Sequence, residues 1–160
     1  PKEFIKDVQI DTDFELLFPD NYINSITERL NLYNELSSTK SSDELLDFEK
    51  RLIDRFGELP VQAIDLLDSV RLKWLAKEIG LEKVVLKQKR MIGYFISDQQ
   101  SEFYQTEAFT KVLKYVQQNP TTSVMKEKQT KAGLRLLITF IKIDSVEVAL
   151  KRLQKVLGRY

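Results

Sequence analysis

The sequence predicts an α+β fold, with an N-terminal three-helix unit followed by a small antiparallel sheet with packed helices. Two observations carry this prediction. In residues 21–80 apolar side chains recur every three to four positions, as they do on one face of a helix. In residues 81–160 the period changes, and strand-like and helix-like runs follow one another in the order β-β-α-β-β-α.

The first stretch of the chain has the alternation of a strand. Between Lys2 and Phe18 apolar side chains alternate loosely with charged ones, and the run ends at the turn dipeptide Pro19-Asp20. We expect the chain, which opens on Pro1, to be a segment of a longer protein.

The first two helices begin at recognisable sequence signals. Ser25-x-x-Glu28 and Ser41-x-x-Glu44 are capping boxes, in which a serine side chain accepts a hydrogen bond from a backbone N–H of the first turn. The residues expected to pack the first helix are Ile26, Leu30, Tyr33 and Leu36. The buried stripe predicted for the second helix comprises Leu45, Phe48, Leu52, Ile53 and Phe56.

Glycine and proline mark the next boundaries. Gly57 follows the last apolar residue of the second helix, where a left-handed C-cap would lie, and Pro60 occupies a helix-starting position. The third helix is predicted over residues 61–79 and ends at Gly80. Its broad apolar face comprises Ala63, Ile64, Leu67, Val70, Trp74 and Leu75.

The second half is predicted to hold two hairpins, each followed by a helix. The elements are, in order, strands at 83–86 and 91–96, a helix at 106–118, strands at 123–129 and 134–141, and a last helix capped at Asp144-x-x-Glu147. We therefore divide the chain into a strand or linker from an upstream module (residues 1–20), a helical subdomain (residues 21–80) and an α+β subdomain (residues 81–160), which together form one compact domain.

The composition excludes several classes of chemistry. The chain has no His and no Cys, which removes disulfides, thiolate metal sites and the commonest general base. No GxxxxGK[ST] phosphate loop occurs, and no run approaches the roughly 18 apolar residues of a membrane span. We expect a cytoplasmic, non-enzymatic chain that binds no metal or cofactor of its own and does not associate with membranes.

Charge is distributed unevenly along the chain. Residues 1–80 carry 10 Lys or Arg against 17 Asp or Glu, a balance of −7, whereas residues 81–160 carry 15 against 7, a balance of +8. Such a split suits two subdomains whose surfaces attract each other or face different partners. Drift of composition on solvated surfaces explains it equally well.

Basic side chains of the second half support one hypothesis of function. They form two groups around a segment that contains Tyr94, Phe95, Phe103 and Tyr104. The basic residues are Lys87, Lys89, Arg90, Lys126, Lys128 and Lys131. Cations interleaved with aromatics are typical of nucleic-acid contacts, which predicts an accessory DNA-binding domain. Because alternating lysines also protect exposed sheet edges, both interpretations stay open.

The charged face of the second helix supports another hypothesis. Asp47 and Arg51, and likewise Lys50 and Asp54, lie four positions apart. Such pairs stabilise a helix by only about 0.2–0.5 kcal/mol each, so their contribution to helix stability is a weak explanation for this charged face. The face is either a solvated surface or a protein-docking patch on which the charges set specificity.

Four sequence blocks give the chain a family resemblance. They are P-x-x-Y-I, R-L-x-x-Y, L-x-D-R-F-G-x-L-P and L-L-x-x-x-R-L-x-x-x-A-x-x-L/I-G, carried by FPDNYINSITERLNLYNEL, ELLDFEKRLIDRFGELP and AIDLLDSVRLKWLAKEIGLEKV. In this order and spacing, residues 13–80 resemble the C-terminal domain of bacterial transcription-repair coupling factors (Mfd). Residues 81–160 are assigned to the same domain by continuity.

The resemblance implies a parent protein with several partners. That parent would be an ATP-dependent DNA translocase that acts on double-stranded DNA, removes stalled RNA polymerase from lesions and recruits the excision-repair protein UvrA. ATP and magnesium would bind to a motor upstream of this chain. The domain itself would be a regulatory terminus that packs on the N-terminal UvrB-like module of the same protein, hides the UvrA-recruiting surface and restrains the motor.

The resemblance also implies where this contact lies. Asp54 and Arg55 match the charged positions of the family's R-F-G block, while Arg51 falls where some relatives carry Glu. We predict a docking site that comprises these three residues with Asp47 and Lys50, and no catalytic or metal-binding residues.

Overall fold

Residues 3–159 are described by a computed structural model. They form two compact units: residues 14–71, which we call the helical unit, and residues 3–13 with 72–159, which we call the sheet unit. Five α-helices and one five-stranded sheet in this part of the chain confirm the predicted α+β class. The division of the chain at residues 20 and 80 stays a prediction.

Three helices build the helical unit, and the third continues into the sheet unit. They are α1 (Ile26–Ser37), α2 (Ser42–Phe56) and α3 (Val61–Ile79). Both predicted N-caps are confirmed. Ser25 Oγ accepts from the N–H of Glu28 and Ser41 Oγ from that of Glu44, each at 3.2 Å. These bonds satisfy backbone donors that a helix start leaves without intrahelical partners.

Two glycines end helices at the predicted positions. Gly57 follows α2 with a φ of 89°, and Gly80 follows α3 with a φ of 91°. Gly57 combines its positive φ with an extended ψ of −167°, so its geometry differs from the left-handed cap that was predicted. Residues other than glycine adopt such positive φ angles only at a cost in energy.

Fewer side chains are buried in the core of the helical unit than the sequence predicts. Leu45, Phe48 and Leu52 are fully buried, but Ile53 is 43% exposed, so its place in the buried stripe is wrong. Ile53 lies about 100° around the helix from Leu52, beyond the arc that packs. The same correction applies to three other residues predicted to pack, Ile26, Leu30 and Ile64.

Five strands form the mixed sheet of the sheet unit, in the order β1-β2-β3-β5-β4. They are β1 (Gln9–Thr12), β2 (Leu81–Lys87), β3 (Arg90–Phe95), β4 (Ser123–Thr130) and β5 (Gly133–Ile141). The four strands of the predicted hairpins pair antiparallel, and β1 adds a parallel edge strand beside β2. The strand predicted between Lys2 and Phe18 is thus confined to four residues; Pro1 and Lys2 lie outside the described part.

Two helices pack on one side of this sheet, α4 (Glu107–Gln118) and α5 (Val146–Val156), and a short 3₁₀ helix at Glu102–Gln105 precedes α4. The cap of α5 is Ser145, whose Oγ accepts from the N–H of Val148 at 3.0 Å. The cap predicted at Asp144 is therefore one residue early. Within residues 3–159 no helix has the length and apolarity that crossing a bilayer requires.

Alternate residues of a strand point to opposite sides of the sheet, and these two sides differ in burial. On the covered side, Phe95 contacts Phe109 of α4 and Phe140 contacts Tyr115, with ring centroids 5.7 and 6.4 Å apart. The other side, which we call the open face, is partly or fully exposed except at Leu137. The open face consists of Gln9, Asp11, Lys83, Val85, Lys87, Arg90, Ile92, Tyr94, Val124, Lys126, Lys128, Arg135, Leu137, Thr139 and Ile141.

Candidate functional site

Two arginines of α2, one turn apart, reach across to α1. Arg51 forms an ion pair with Glu35 and a second one with Asp47 on its own helix, at 3.0 Å. Arg55 forms an ion pair with Glu28. Both predicted docking arginines are therefore held by carboxylates of their own unit, and Glu28, predicted as half of a capping box, serves as the partner of Arg55.

The same two arginines remain accessible to solvent. The side chain of Arg51 is 53% exposed and that of Arg55 is 64% exposed. The hydrogen bonds to Glu35 and then to Asp47 raise the pKa of the Arg51 guanidinium above its ordinary value. Each guanidinium also lies near an aromatic ring, Arg51 5.7 Å from the centre of Phe48 and Arg55 5.0 Å from that of Phe56.

Asp54 and Lys50 differ from the arginines in having no such restraint. They are spaced as an i, i+4 pair, yet within residues 3–159 neither of them forms an ion pair, whereas Asp47 and Arg51 at the same spacing do. Both side chains are exposed. Asp54 therefore keeps its full capacity to accept hydrogen bonds from a partner.

A cleft of about 300 Å³ brings three of the predicted docking residues together. Arg51, Asp54 and Arg55 line it, and its other lining residues are apolar. The apolar members are Leu32, Phe48, Leu52 and Phe56. An apolar depression bordered by charged side chains has the arrangement of a protein-interface pocket. The sequence pattern of α2 does not predict it, because Leu32 belongs to α1.

Tyr22 fixes the end of α2 beside this cleft. Its hydroxyl donates to the carbonyl of Gly57 at 2.8 Å, and its ring lies 5.7 Å from that of Phe56. Burial raises the pKa of the Tyr22 hydroxyl. The tyrosine of the P-x-x-Y-I block thus contacts the glycine of the R-F-G block, a pairing that the sequence did not predict.

The other blocks also contribute to the helical unit. Arg29 of the R-L-x-x-Y block donates to the carbonyl of Ile23 at 2.5 Å. Tyr33 of the same block stacks on Phe18, with ring centroids 4.9 Å apart, and its hydroxyl accepts from the Phe18 N–H at 2.8 Å. These bonds hold the loop before α1, so several residues that carry the resemblance maintain the structure on which the charged cleft is built.

The basic residues predicted to contact nucleic acid are spread over the sheet unit. Four of them, Lys87, Arg90, Lys126 and Lys128, belong to the open face, while Lys89 and Lys131 lie in turns at opposite ends of the sheet. Arg90 pairs with Ile141 and Lys128 with Arg135, six residues apart along β5, which is about 20 Å.

The aromatic residues predicted alongside them are also divided. Phe95 and Phe103 are buried in the core, and Tyr104 donates its hydroxyl hydrogen to the carbonyl of Ile96 at 2.5 Å. Tyr94 alone of the four belongs to the open face.

Comparison with known proteins gives consistent matches. The family model described as TRCF domain matches residues 12–106. A transcription-repair-coupling factor from Staphylococcus aureus (strain USA300) is 27% identical over 150 residues, covering 88% of this chain and 13% of the relative. One from Escherichia coli (strain K12) is 40% identical over 73 residues, covering 46% of this chain and 6% of the relative. The chain thus spans about an eighth or less of these relatives.

A solved structure matches at the level of fold. It is described as the crystal structure of the C-terminal domain of a transcription-repair coupling factor, with a TM-score of 0.68, 17% identity, and coverage of 95% of this chain and 94% of that one. Because the family model covers more than half of the chain, the resemblance drawn from residues 13–80 is confirmed. This chain belongs to the TRCF domain family and has the fold of the C-terminal domain of transcription-repair coupling factor.

Proposed function

We propose that this domain is an autoregulatory module that docks, through the cleft on α2, on the N-terminal UvrB-like module of its parent. Docking masks the surface that recruits UvrA and restrains an ATP-driven translocase motor that carries its own ATP and magnesium. The observation that carries the proposal is the cleft itself, where Arg51, Asp54 and Arg55 surround an apolar floor.

The ion pairs within the unit prepare the arginines for such a contact. Glu35 and Asp47 hold Arg51, and Glu28 holds Arg55, so less side-chain freedom is lost on binding. A guanidinium has five N–H donors, and the observed pairs leave several of them free for a second carboxylate. The complementary surface should therefore offer acidic groups to the arginines and a basic group to Asp54.

Modest affinity is enough when both modules belong to one chain. At an effective concentration on the order of 1 mM, a contact with a Kd of about 10 µM is formed roughly 99% of the time. RNA polymerase or DNA binds the undocked state of the parent more tightly than the docked state. Their engagement therefore shifts the population toward the undocked state. The undocked state exposes the recruiting surface and releases the motor.

The test measures binding of this domain to the separately expressed N-terminal module, for Asp54→Ala and Arg55→Ala singly and together. We expect binding to weaken at least tenfold in the double variant. Lys151→Ala is a matched control, since Lys151 forms an exposed i, i+4 pair with Glu147 on α5. Glu28→Gln removes the Arg55 ion pair while leaving Arg55 in place, and it should weaken binding far less than Arg55→Ala does.

A second readout uses the full-length parent. If docking restrains the motor and masks UvrA recruitment, Asp54→Ala/Arg55→Ala should raise ATP hydrolysis in the absence of RNA polymerase and increase capture of UvrA. Unchanged binding, unchanged hydrolysis and unchanged capture in correctly folded double variants would contradict the site.

A further inference from the structure

One row of the open face places an aromatic ring between cations. Lys83, Tyr94, Leu137 and Lys126 lie directly opposite one another on β2, β3, β5 and β4. Directly opposed residues have Cα atoms about 4.5–5.5 Å apart. The row is therefore a platform roughly 15 Å wide, with a ring and an aliphatic side chain at its centre and an ammonium group at each end.

Two cations lie close to the ring of Tyr94. The Nζ of Lys83 and the Cζ of Arg135 are each 5.6 Å from its centre. Arg135 is fixed there because its guanidinium donates to Glu82 at 3.0 Å and to the carbonyl of Phe95 at 2.9 Å. Its Nε is buried and has no hydrogen-bond partner in the described part of the chain. Both cations lie over the ring: Arg135 is fixed there, whereas the long, flexible side chain of Lys83 can move aside for a stacked base.

Protection of a sheet edge does not explain this charge. Lys126 and Lys128 are on the edge strand β4, where lysines prevent pairing with other chains. Lys83, Arg90 and Arg135 are on the interior strands β2, β3 and β5, which already have partners on both sides. Edge protection therefore does not account for the positive charge of these three residues.

The cations of the open face outnumber its carboxylates. The cations are Lys83, Lys87, Arg90, Lys126, Lys128 and Arg135. Two carboxylates offset them: Asp11 of the open face, 3.2 Å from Lys87, and the neighbouring Glu82, which forms an ion pair with Arg135. Six positive charges against two negative ones leave a net charge of +4 on this surface.

We propose that the open face binds a single strand of nucleic acid, with a base stacked on Tyr94 and phosphates held by Lys83, Arg135 and Lys126. Single strands expose planar bases and phosphates in alternation, and proteins bind them by combining aromatic or arginine platforms with surrounding cations. A segment of acidic side chains alone, such as polyglutamate, would use the same cations but has no aromatic group to stack on the ring. The proposal does not depend on the docking function of α2, because the residues belong to different elements.

The experiment measures the fluorescence anisotropy of a labelled oligodeoxythymidine of about 12 nucleotides titrated with the whole 160-residue chain at low salt. We expect saturable binding that Tyr94→Leu weakens about tenfold and Tyr94→Phe leaves nearly unchanged, since a phenyl ring still stacks. Lys83→Gln/Lys126→Gln should weaken binding and reduce the salt slope by about 1.4, at about 0.7 for each lost phosphate contact.

A matched control removes the same charge elsewhere in the sheet unit. Lys111 and Lys114 are exposed on α4 and line a groove with Arg152 and Lys155 of α5, away from the open face. Lys111→Gln/Lys114→Gln should leave affinity and salt slope unchanged. Equal losses in the two lysine pairs would indicate unspecific attraction and overturn the proposal.

Three other results would also overturn it. They are the absence of saturable binding at low salt, binding of the Tyr94→Leu variant as tight as that of the unaltered chain, and equal affinity for polyglutamate or for duplex DNA of the same length. Circular dichroism of each variant shows whether the fold is retained. Tyr94→Phe, which keeps the ring, separates loss of stacking from loss of structure.

Discussion

The hydroxyl of Tyr22 donates a 2.8 Å hydrogen bond to the carbonyl oxygen of Gly57, thirty-five residues further along the chain. This bond joins the loop before α1 to the residue that ends α2. Since Arg55 and Phe56 line the cleft immediately before Gly57, the bond fixes the backbone on which the proposed docking residues are mounted.

Replacement of Tyr22 by Phe tests the strength of this link. Tyr22→Phe keeps the ring contact with Phe56 and removes only the hydroxyl, so we expect the free energy of unfolding to fall by about 0.5–1.5 kcal/mol. Urea denaturation measures it. Tyr94→Phe is the control, because within residues 3–159 the Tyr94 hydroxyl has no hydrogen-bond partner; a loss of equal size in that variant would show that the bond to Gly57 contributes nothing.

Two partly buried tyrosines make stability depend on alkaline pH. Burial raises the pKa of Tyr22 and of Tyr104 above the ordinary 10.0, and for Tyr104 the carboxylate of Glu82 adds to the effect. The unfolded chain therefore loses these protons at lower pH than the folded chain does. The stabilisation they supply is complete below about pH 10 and is lost as the pH rises further.

We accordingly expect the free energy of unfolding to decline more steeply above about pH 10 in the unaltered chain than in Tyr22→Phe/Tyr104→Phe. Urea titrations between pH 8 and pH 11 measure both curves. Lysines titrate in the same range but are identical in the two chains, so they cancel in the difference. Parallel curves would refute the assignment of raised pKa values to these two residues.

Neighbouring residues of α2 should differ sharply in their contribution to stability. Leu52→Ala empties a fully buried position and should cost about 2–5 kcal/mol. Ile53→Ala, one residue on, changes a side chain that is 43% exposed and should cost less than about 1 kcal/mol. Thermal or urea unfolding of the two variants compares them, and similar losses would mean that Ile53 is buried in solution.

Substitution of the two helix-ending glycines distinguishes the cost of backbone strain from the cost of a steric clash. A Cβ on Gly80 would lie 2.3 Å from the ring of Phe103, whereas one on Gly57 would meet nothing within 4 Å. Both have positive φ, and Gly57 combines it with an extended ψ, a backbone conformation that costs an alanine about 1–3 kcal/mol. Gly57→Ala should lose about that amount and Gly80→Ala clearly more, because the core around Phe103 must also shift. Equal losses would exclude the steric contribution at Gly80.

Local signals predicted the boundaries of the elements well. The caps at Ser25 and Ser41 and the glycines at 57 and 80 act through backbone geometry within a few residues, which sequence alone encodes. The burial of Ile53 and Ile26 was predicted wrongly because burial depends on which arc of a helix meets its neighbours. The parallel pairing of β1 joins residues far apart in the sequence and leaves no local signal.

The candidate site, like the fold, was predicted only in part from the sequence. The resemblance indicated Asp54 and Arg55, but neither it nor the pattern showed that Arg55 pairs with Glu28 or that Leu32 contributes to the cleft. Arg135 was missed for the same reason. Its place beside Tyr94 follows from the pairing of β5 with β3, which becomes visible only once the strand order is known.

The position of β1 in the chain has a consequence for synthesis. Thr12 of β1 donates its hydroxyl hydrogen to the carbonyl of Leu86 in β2, seventy-four residues later, and the whole helical unit lies between them in the sequence. A ribosome that adds about 5–20 residues per second leaves β1 without its partner for roughly 4–15 s. The intervening helices have time to fold first, and their compaction lessens the entropy lost when the two strands meet. This edge of the sheet is then completed only after β2 has been synthesised, and until that point β1 is open to chaperones and to premature pairing with other chains.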